Sequence, residues 1–436
     1  MNKSGKKEFI LRGGRVIDPV NNIDQTADVG ISSDGKIAEP DSLVDPEIID
    51  LAGLVVCPGF VDLHVHLRQP GRSDKEDIAT GTRAAAAGGF AQIVTMPNTS
   101  PVADNSGTIE YIRRHAANEG VVKVLPAAAM TKGIAGENMT GIGSLKKYGV
   151  VAISDDGRCV QNHDVMRHIV EYAKTFELPI LDHCEDETLA GDGVMHEGQW
   201  STLLGLKGIP AASEELMVAR DIILAEISDW KVHIQHISSK GSVRLVRDAQ
   251  KRGVKVSAEV TPHHIALNDE RLKSFDTNYK MKPPIMSEDH RQALIEGLQD
   301  GTISCIATDH APHTETEKMV EFDYAPFGII GLETAVPVCM TELYHKNFLS
   351  LYDLISKFTK GPAELLGLEG ISLAPGTPAD ITVLDPEKDF VIDKNNFYSK
   401  SRNTPFHGYK ARGKSVALFV DGNCIYSELD SIDGLI

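Results

Sequence analysis

The stretch from Gly59 to Arg68, GFVDLHVHLR, carries two histidines two residues apart and an arginine two residues further on. In a strand, residues two apart face the same side, so His64 and His66 project together, and Arg68 shares that face if the strand runs on. Paired imidazoles suit a divalent cation, and a planar guanidinium suits a carboxylate. Alone, such a pair is a weak signal, because histidines on a half-exposed strand are common. Other apolar runs end in the same way. His183 closes PILDH, His236 closes VHIQH, Asp155 and Asp156 follow VVAIS, and Asp309 follows SCIAT. Four histidines with Asp309 and one of the pair Asp155 and Asp156 at strand ends fit two divalent cations bridged by a carboxylate and a water. This donor set suits Zn2+, with Mn2+, Co2+ or Fe2+ as alternatives.

Those residues meet only if the runs lie side by side and end at one face. The runs are LVVCPGFVDLHVH, FAQIVTMPN, VVKVLPAAAM, YGVVAISDDG, LPILDHCED, WKVHIQHIS, VKVSAEVTPHH and ISCIATDHAPH. Between them lie stretches with apolar residues at helical spacing, such as KEDIATGTRAAAAGG and SEELMVARDIILAEI. Alternation of this kind predicts an α/β chain with a (β/α)8 TIM barrel over residues 58–369, whose C-terminal strand ends share one mouth. Both termini have a different texture, with short strands and Asp-Gly turns at 34–35 and 421–422. Residues 1–57 and 370–436 are therefore expected to meet as one small β-sandwich domain.

A net charge of −18 disfavours nucleic acid and anionic membranes as partners, since phosphate binding needs a basic surface. No apolar run approaches the length of a membrane span, and the N-terminus has no apolar signal core. Six scattered cysteines without C-x-x-C spacing read as free thiols in a reducing, cytoplasmic protein.

GFVDLHVHLR, the Asp-Asp-Gly at 155–157, DHCED at 182–186, HIQHIS at 233–238 and ATDHAPH at 307–313 resemble the metal-dependent cyclic amidohydrolases, and among them the bacterial type I dihydroorotases. MPNTSPV at 96–102 and SRNTPF at 401–406 agree. The resemblance runs nearly end to end. It implies that His64, His66 and Asp309 hold one metal and that His183 and His236 hold the second. It implies that Asp156 is the bridging carboxylate and Asp155 a structural acceptor. It implies one or two Zn2+ ions per subunit, no carboxylated lysine, and reversible hydrolysis of dihydroorotate to N-carbamoyl-L-aspartate, the third step of de novo pyrimidine synthesis. By the same resemblance, a hydroxide shared by the cations is expected to attack, with Asp309 as general base and then acid. It implies that Arg68, Asn98 and His313 bind the substrate carboxylate and that the backbone at Pro326, Phe327 and Gly328 cradles the ring. The same resemblance suggests a homodimer and allows association with aspartate transcarbamoylase. The alternatives are an allantoinase, a dihydropyrimidinase, or a non-catalytic dihydroorotase-like subunit of that transcarbamoylase.

One segment departs from the family pattern. Where relatives carry an asparagine before Pro-Pro-Leu-Arg, this chain has Lys282-Pro283-Pro284-Ile285-Met286. Lys282 is donor-only, and it is expected to bind a ring carbonyl or the carboxylate. Of the other histidines, His310 is expected to orient Asp309, His233 to be structural, and His263 and His264 to sit at the mouth. His163, His168, His196, His290, His345 and His407 read as ordinary surface or packing residues.

Overall fold

The computed structural model describes residues 7–429. Eight strands pair in chain order: β1 (Phe60–Val65), β2 (Phe90–Thr95), β3 (Lys123–Ala128), β4 (Ala152–Ile153), β5 (Ile180–Asp182), β6 (Val232–Ile234), β7 (Val256–Val260) and β8 (Cys305–Ile306). The pairings are parallel. A parallel bridge between Val65 and His310 brings the first and last strands together, with His66 N donating to His310 O at 2.9 Å. This is the predicted barrel, with the chemistry-bearing residues at the C-terminal ends of its strands.

Strands of a parallel barrel are buried on both faces, which is why they read as continuous apolar runs. All six residues of β1 are buried. Between strands, helices start and stop on local signals. Ile78–Gly88 begins at Asp77, whose carboxylate accepts from Thr80 N, and ends at Gly89 with φ 88°. Ala212–Ser228 buries Met217, Val218, Ile222 and Leu224. Beneath the mouth, Phe60, Phe90 and Phe358 meet with ring centroids 5.2–6.1 Å apart. Burying each ring contributes about 1.5–3 kcal/mol.

The run LVVCPGFVDLHVH, continuous in sequence, divides at Gly59. Val55–Pro58 pairs antiparallel with Ile381–Val391 and parallel with Phe9–Asp18, while Phe60–Val65 enters the barrel. A Cβ at residue 59 would lie 2.5 Å from Ala91 Cβ, so only glycine lets the chain pass between the two sheets here.

The termini meet as expected. Asn423–Ser427, Lys410–Val420, Ile381–Val391, Val55–Pro58, Phe9–Asp18, Ile23–Ile31 and Ile37–Ala38 follow one another, with Glu47–Asp50 also against Phe9–Asp18. The expected sandwich takes the form of one continuous sheet curled over Leu11, Ile31, Ile49, Val56, Ile381, Val383 and Phe419. Both Asp-Gly turns are present, with Gly35 at φ 80° and Asp421 and Gly422 at φ 47° and 76°. Residues 1–6 and 430–436 of the terminal segments lie outside the described residues. No helix among the described residues is long and apolar enough to cross a membrane, and all six cysteines are free.

Candidate active site

The strand ends open on a cavity of about 400 Å3 lined by His66, Arg68, Asn98, Asp156, His183, His236, Lys282, Asp309, His313, Pro326, Phe327 and Gly328. His64 lies directly beneath, fully buried. The structure thus brings every residue singled out as catalytic, substrate-binding or metal-binding into one place.

Asp156 is central. Its Oδ1 lies 3.2 Å from His64 Nε2, 3.8 Å from His236 Nε2 and 4.0 Å from His183 Nδ1, and its Oδ2 lies 3.3 Å from His66 Nε2. Asp309 Oδ1 is 3.1 Å from His66 Nε2 and 3.5 Å from His64 Nε2. Donors at ~2.0–2.1 Å around one tetrahedral ion sit about 3.3 Å from each other, which is the spacing seen among His64, His66, Asp156 and Asp309. His64 Nε2 is buried without a hydrogen-bond partner of its own. Buried polar atoms are rarely left so unless something absent satisfies them. Two groups, His64 with His66 and Asp309, and His64 with Asp156 and His236, converge closely enough to hold an ion. His183 Nδ1 lies 2.8 Å from His236 Nε2 and extends the second group. The residues fit divalent metal.

Charge in the cluster is set by burial and by its own members. Burial resists ionisation of Asp309, yet the neighbouring His64, His66 and His236 hold its pKa below the usual carboxylate range. Burial likewise opposes a charge on His64, but Asp156 and Asp309 raise its pKa well above the ordinary value. Burial and the adjacent His236 depress His183 to about 3, leaving a neutral imidazole, the form that ligates.

The supporting partners come from elements far apart in sequence. His64 Nδ1 lies 3.0 Å from Glu259 Oε1, and Glu259 Oε2 lies 3.2 Å from His233 Nε2, whose Nδ1 in turn meets Ser257 Oγ at 2.7 Å. This chain turns the His64 ring so that Nε2 faces the cluster. His233 is structural, as expected. Hydrogen bonds from the two histidines hold Glu259 at about 2 in spite of complete burial. Sequence reasoning passed over Glu259, although an acidic residue inside the apolar run VSAEV was the available signal. Replacing it by glutamine is expected to weaken metal binding about 10–100-fold, read by titration against a chromophoric chelator. Unchanged affinity would remove Glu259 from the site.

Several placements differ from expectation. β1 ends at Val65, so Arg68 does not reach the mouth by strand alternation. It adopts a left-handed φ of 57°, as do Asp309 at 44° and His236 at 31°. Each such backbone costs about 1–3 kcal/mol and persists because the surroundings enforce it. Asn98 Oδ1 accepts from His66 Nδ1 at 2.9 Å and its Nδ2 donates to Asp156 Oδ2 at 3.4 Å, so it braces the metal cluster as well as lining the cavity. Both ring nitrogens of His313 are engaged, Nε2 with Phe327 O at 2.8 Å and Nδ1 with Lys75 Nζ at 3.1 Å, and a ligand must displace one of these bonds to reach the ring. Burial, together with Arg68 and Lys75, lowers His313 to about 3. Gly328 is required by its packing rather than by a ligand. Its φ is 145°, a Cβ would lie 2.8 Å from Ala311 O, and its N–H donates to Lys280 O at 3.0 Å.

His310 does not bond Asp309. Its Nε2 meets Glu76 Oε2 at 3.3 Å and its Nδ1 accepts from Gly331 N at 3.2 Å. His263 and His264 are buried away from the cavity lining, and His264 lies between Thr261 Oγ1 at 2.7 Å and Pro283 O at 3.0 Å. Asp155 accepts from Met130 N at 2.7 Å and Thr131 N at 3.0 Å, and so has a structural place.

A sequence profile described as Dihydro-orotase-like matches residues 53–242. Curated proteins named dihydroorotase align along almost the whole chain. That of Syntrophotalea carbinolica is 47% identical over 96% of this chain and 99% of its own length. That of Pelotomaculum thermopropionicum is 49% identical over 97% and 99%. Among solved structures, the L-hydantoinase (dihydropyrimidinase) from Arthrobacter aurescens superposes with a TM-score of 0.87 at 23% identity, covering 96% of each chain. The dihydropyrimidinase from Brevibacillus agri gives 0.84 at 22%, covering 96% of this chain and 95% of its own. The structural likeness shows a shared amidohydrolase-type fold, and the near-complete alignment at 47–49% identity resolves the relationship further: the chain belongs to the dihydroorotase family.

Proposed function

We propose that the chain catalyses the reversible hydrolysis of (S)-dihydroorotate to N-carbamoyl-L-aspartate, running toward ring closure in pyrimidine synthesis. The observation that carries this reading is one cavity that joins the His/Asp cluster to Arg68, in a chain 47–49% identical to dihydroorotases along 96–97% of its length. When bound by His64, His66, Asp156, His183, His236 and Asp309, divalent cations polarise the amide carbonyl and acidify water. The imidazole and carboxylate donors favour zinc, one or two ions per subunit.

The chain's own groups do the rest. Asp309, ionised at the edge of the cavity, accepts the proton of the attacking water on a carboxylate oxygen and passes it to the leaving amide nitrogen. In the synthetic direction it takes that proton from the ureido nitrogen as the ring closes. Arg68 grips the ring carboxylate through its guanidinium fork, Asn98 offers an amide N–H beside it, and His313 follows once its bond to Lys75 or Phe327 is exchanged. Lys282 donates to a ring carbonyl, and Pro326 to Gly328 form the wall against the ring.

All six ligand positions are filled by competent donors, which disfavours a non-catalytic scaffold. The dihydropyrimidinase reading, which the solved structures suggest, leaves Arg68 without an anionic partner because that ring has no carboxylate. Steady-state assays of metal-loaded protein on dihydroorotate, dihydrouracil, hydantoin and allantoin test the assignment, and no turnover of dihydroorotate would overturn it. Arg68→Met is expected to raise KM for dihydroorotate about 10–100-fold, the worth of a charge-assisted hydrogen bond, with a smaller effect on kcat. A KM within twofold of wild type would place the carboxylate elsewhere. Division of the chain into 1–57 with 370–436 and 58–369, a cytoplasmic location, a homodimer and contact with aspartate transcarbamoylase are part of the same proposal, supported by the sequence resemblance.

A further inference from the structure

Two basic side chains line the cavity, Arg68 and Lys282, and they differ in their ion-pair partners. Lys282 Nζ lies 2.7 Å from Glu185 Oε1, and the two side chains are 30% and 9% exposed. Its ammonium also sits 5.4 Å from the Phe327 ring centroid. That end of the cavity is thus compensated before a ligand arrives. Arg68 makes no ion pair among the described residues, and its Nε donates to Pro312 O at 3.3 Å. The nearby cations Arg72 and Lys75 are already committed to Glu317, at 3.0 and 2.9 Å. Arg68 follows β1 and Glu185 follows β5, four strands apart round an eight-strand barrel, so the two strands that carry them stand on opposite sides of it.

We propose that the Glu185–Lys282 ion pair sets the orientation and charge selectivity of ligand binding. By pairing with Lys282 it leaves Arg68 as the cation of the cavity wall that has no ion-pair partner among the described residues. A ring with a single free carboxylate then docks that group at Arg68 and turns its neutral ureide edge toward Lys282, whose remaining N–H donors meet the carbonyl. Without Glu185, the lysine would compete for the carboxylate and admit the ligand in reverse. Specificity is a difference between two poses, and the pair disfavours the wrong one. Glu185 is a positioning residue acting through Lys282. The inference rests on the dihydroorotate reading for its natural ligand, but its test does not.

Succinate and succinamate have nearly the same shape, and the second carries a neutral amide in place of one carboxylate. Their binding to metal-loaded protein is measured by calorimetry in wild type, Glu185→Gln, Glu185→Asp and Lys282→Gln. Glu185→Gln is expected to raise the preference for succinate over succinamate about tenfold, and Glu185→Asp to keep the wild-type ratio. Lys282→Gln, which leaves Glu185 uncompensated, is expected to lower the preference at least about threefold. A ratio within twofold of wild type in folded Glu185→Gln overturns the proposal. Should that variant not fold, an unchanged ratio in Lys282→Gln overturns it. If wild type fails to turn over dihydroorotate while the ratios move as expected, the substrate assignment falls and the charge asymmetry stands. If dihydroorotate is turned over and the ratios do not move, only the asymmetry falls.

Discussion

Asp309→Asn is expected to hydrolyse dihydroorotate about 1,000-fold more slowly than wild type, within the range by which a positioned general acid–base group accelerates proton transfer. Asparagine suits this test for two reasons. Its size matches, and it tolerates the left-handed backbone at φ 44° better than most residues, so the fold at the end of β8 should be preserved. What it cannot do is accept a proton. The wild-type carboxylate can, because it lines the cavity beside His66, with Oδ1 3.1 Å from His66 Nε2. Losing a negative ligand also weakens the hold on metal, so elemental analysis at saturating metal must accompany the rates. A variant that keeps full metal and loses less than tenfold in kcat would show that another group carries the proton.

The second large effect is expected from His64→Ala with His66→Ala. Both imidazoles vanish from the cluster, and metal content and activity should fall together to background while circular dichroism stays that of a folded barrel. Linkage provides an independent readout. A metal bound at about 1,000 times its Kd stabilises the folded state by about 4 kcal/mol, so chelation should lower the melting temperature of wild type and leave that of the double variant unmoved. The double variant should itself be less stable than metal-free wild type. Glu259 loses one of the two histidines that hold it, and an unsatisfied buried group costs about 1–3 kcal/mol. If the histidines were merely core residues satisfied by one another, wild type would bind no metal and chelation would do nothing.

The two histidines also show what local pattern can reveal. Residues two apart on a strand share a face whatever the surrounding fold, and His64 and His66 do so with ring centroids 5.2 Å apart, because His66, one residue past the end of β1, is still paired through its N–H to His310 O. The same argument fails two residues later, because β1 ends at Val65. Arg68 enters the cavity through a left-handed turn that no alternation rule anticipates. His310 is the converse case. Adjacency to Asp309 suggested a bond between them, yet the backbone turns left-handed at Asp309, and the His310 ring meets Glu76 from the loop after β1 instead.

What the amino-acid sequence determined by itself was the set of elements and the chemistry at their ends. Apolar runs alternating with helical spacing point to a parallel sheet covered on both faces, and eight such units in succession to a barrel. Imidazoles and carboxylates at those strand ends form a donor set that suits a divalent metal. Tertiary structure alone decided which groups support and balance them. Glu259 holds His64 from 195 residues away, Asn98 joins His66 to Asp156, and Glu185 pairs with Lys282 while Arg68 has no ion-pair partner among the described residues. Such pairings depend on distances of about 3 Å between side chains remote in sequence, and hydrogen bonds and ion pairs weaken too steeply with distance and angle for spacing along the chain to specify them.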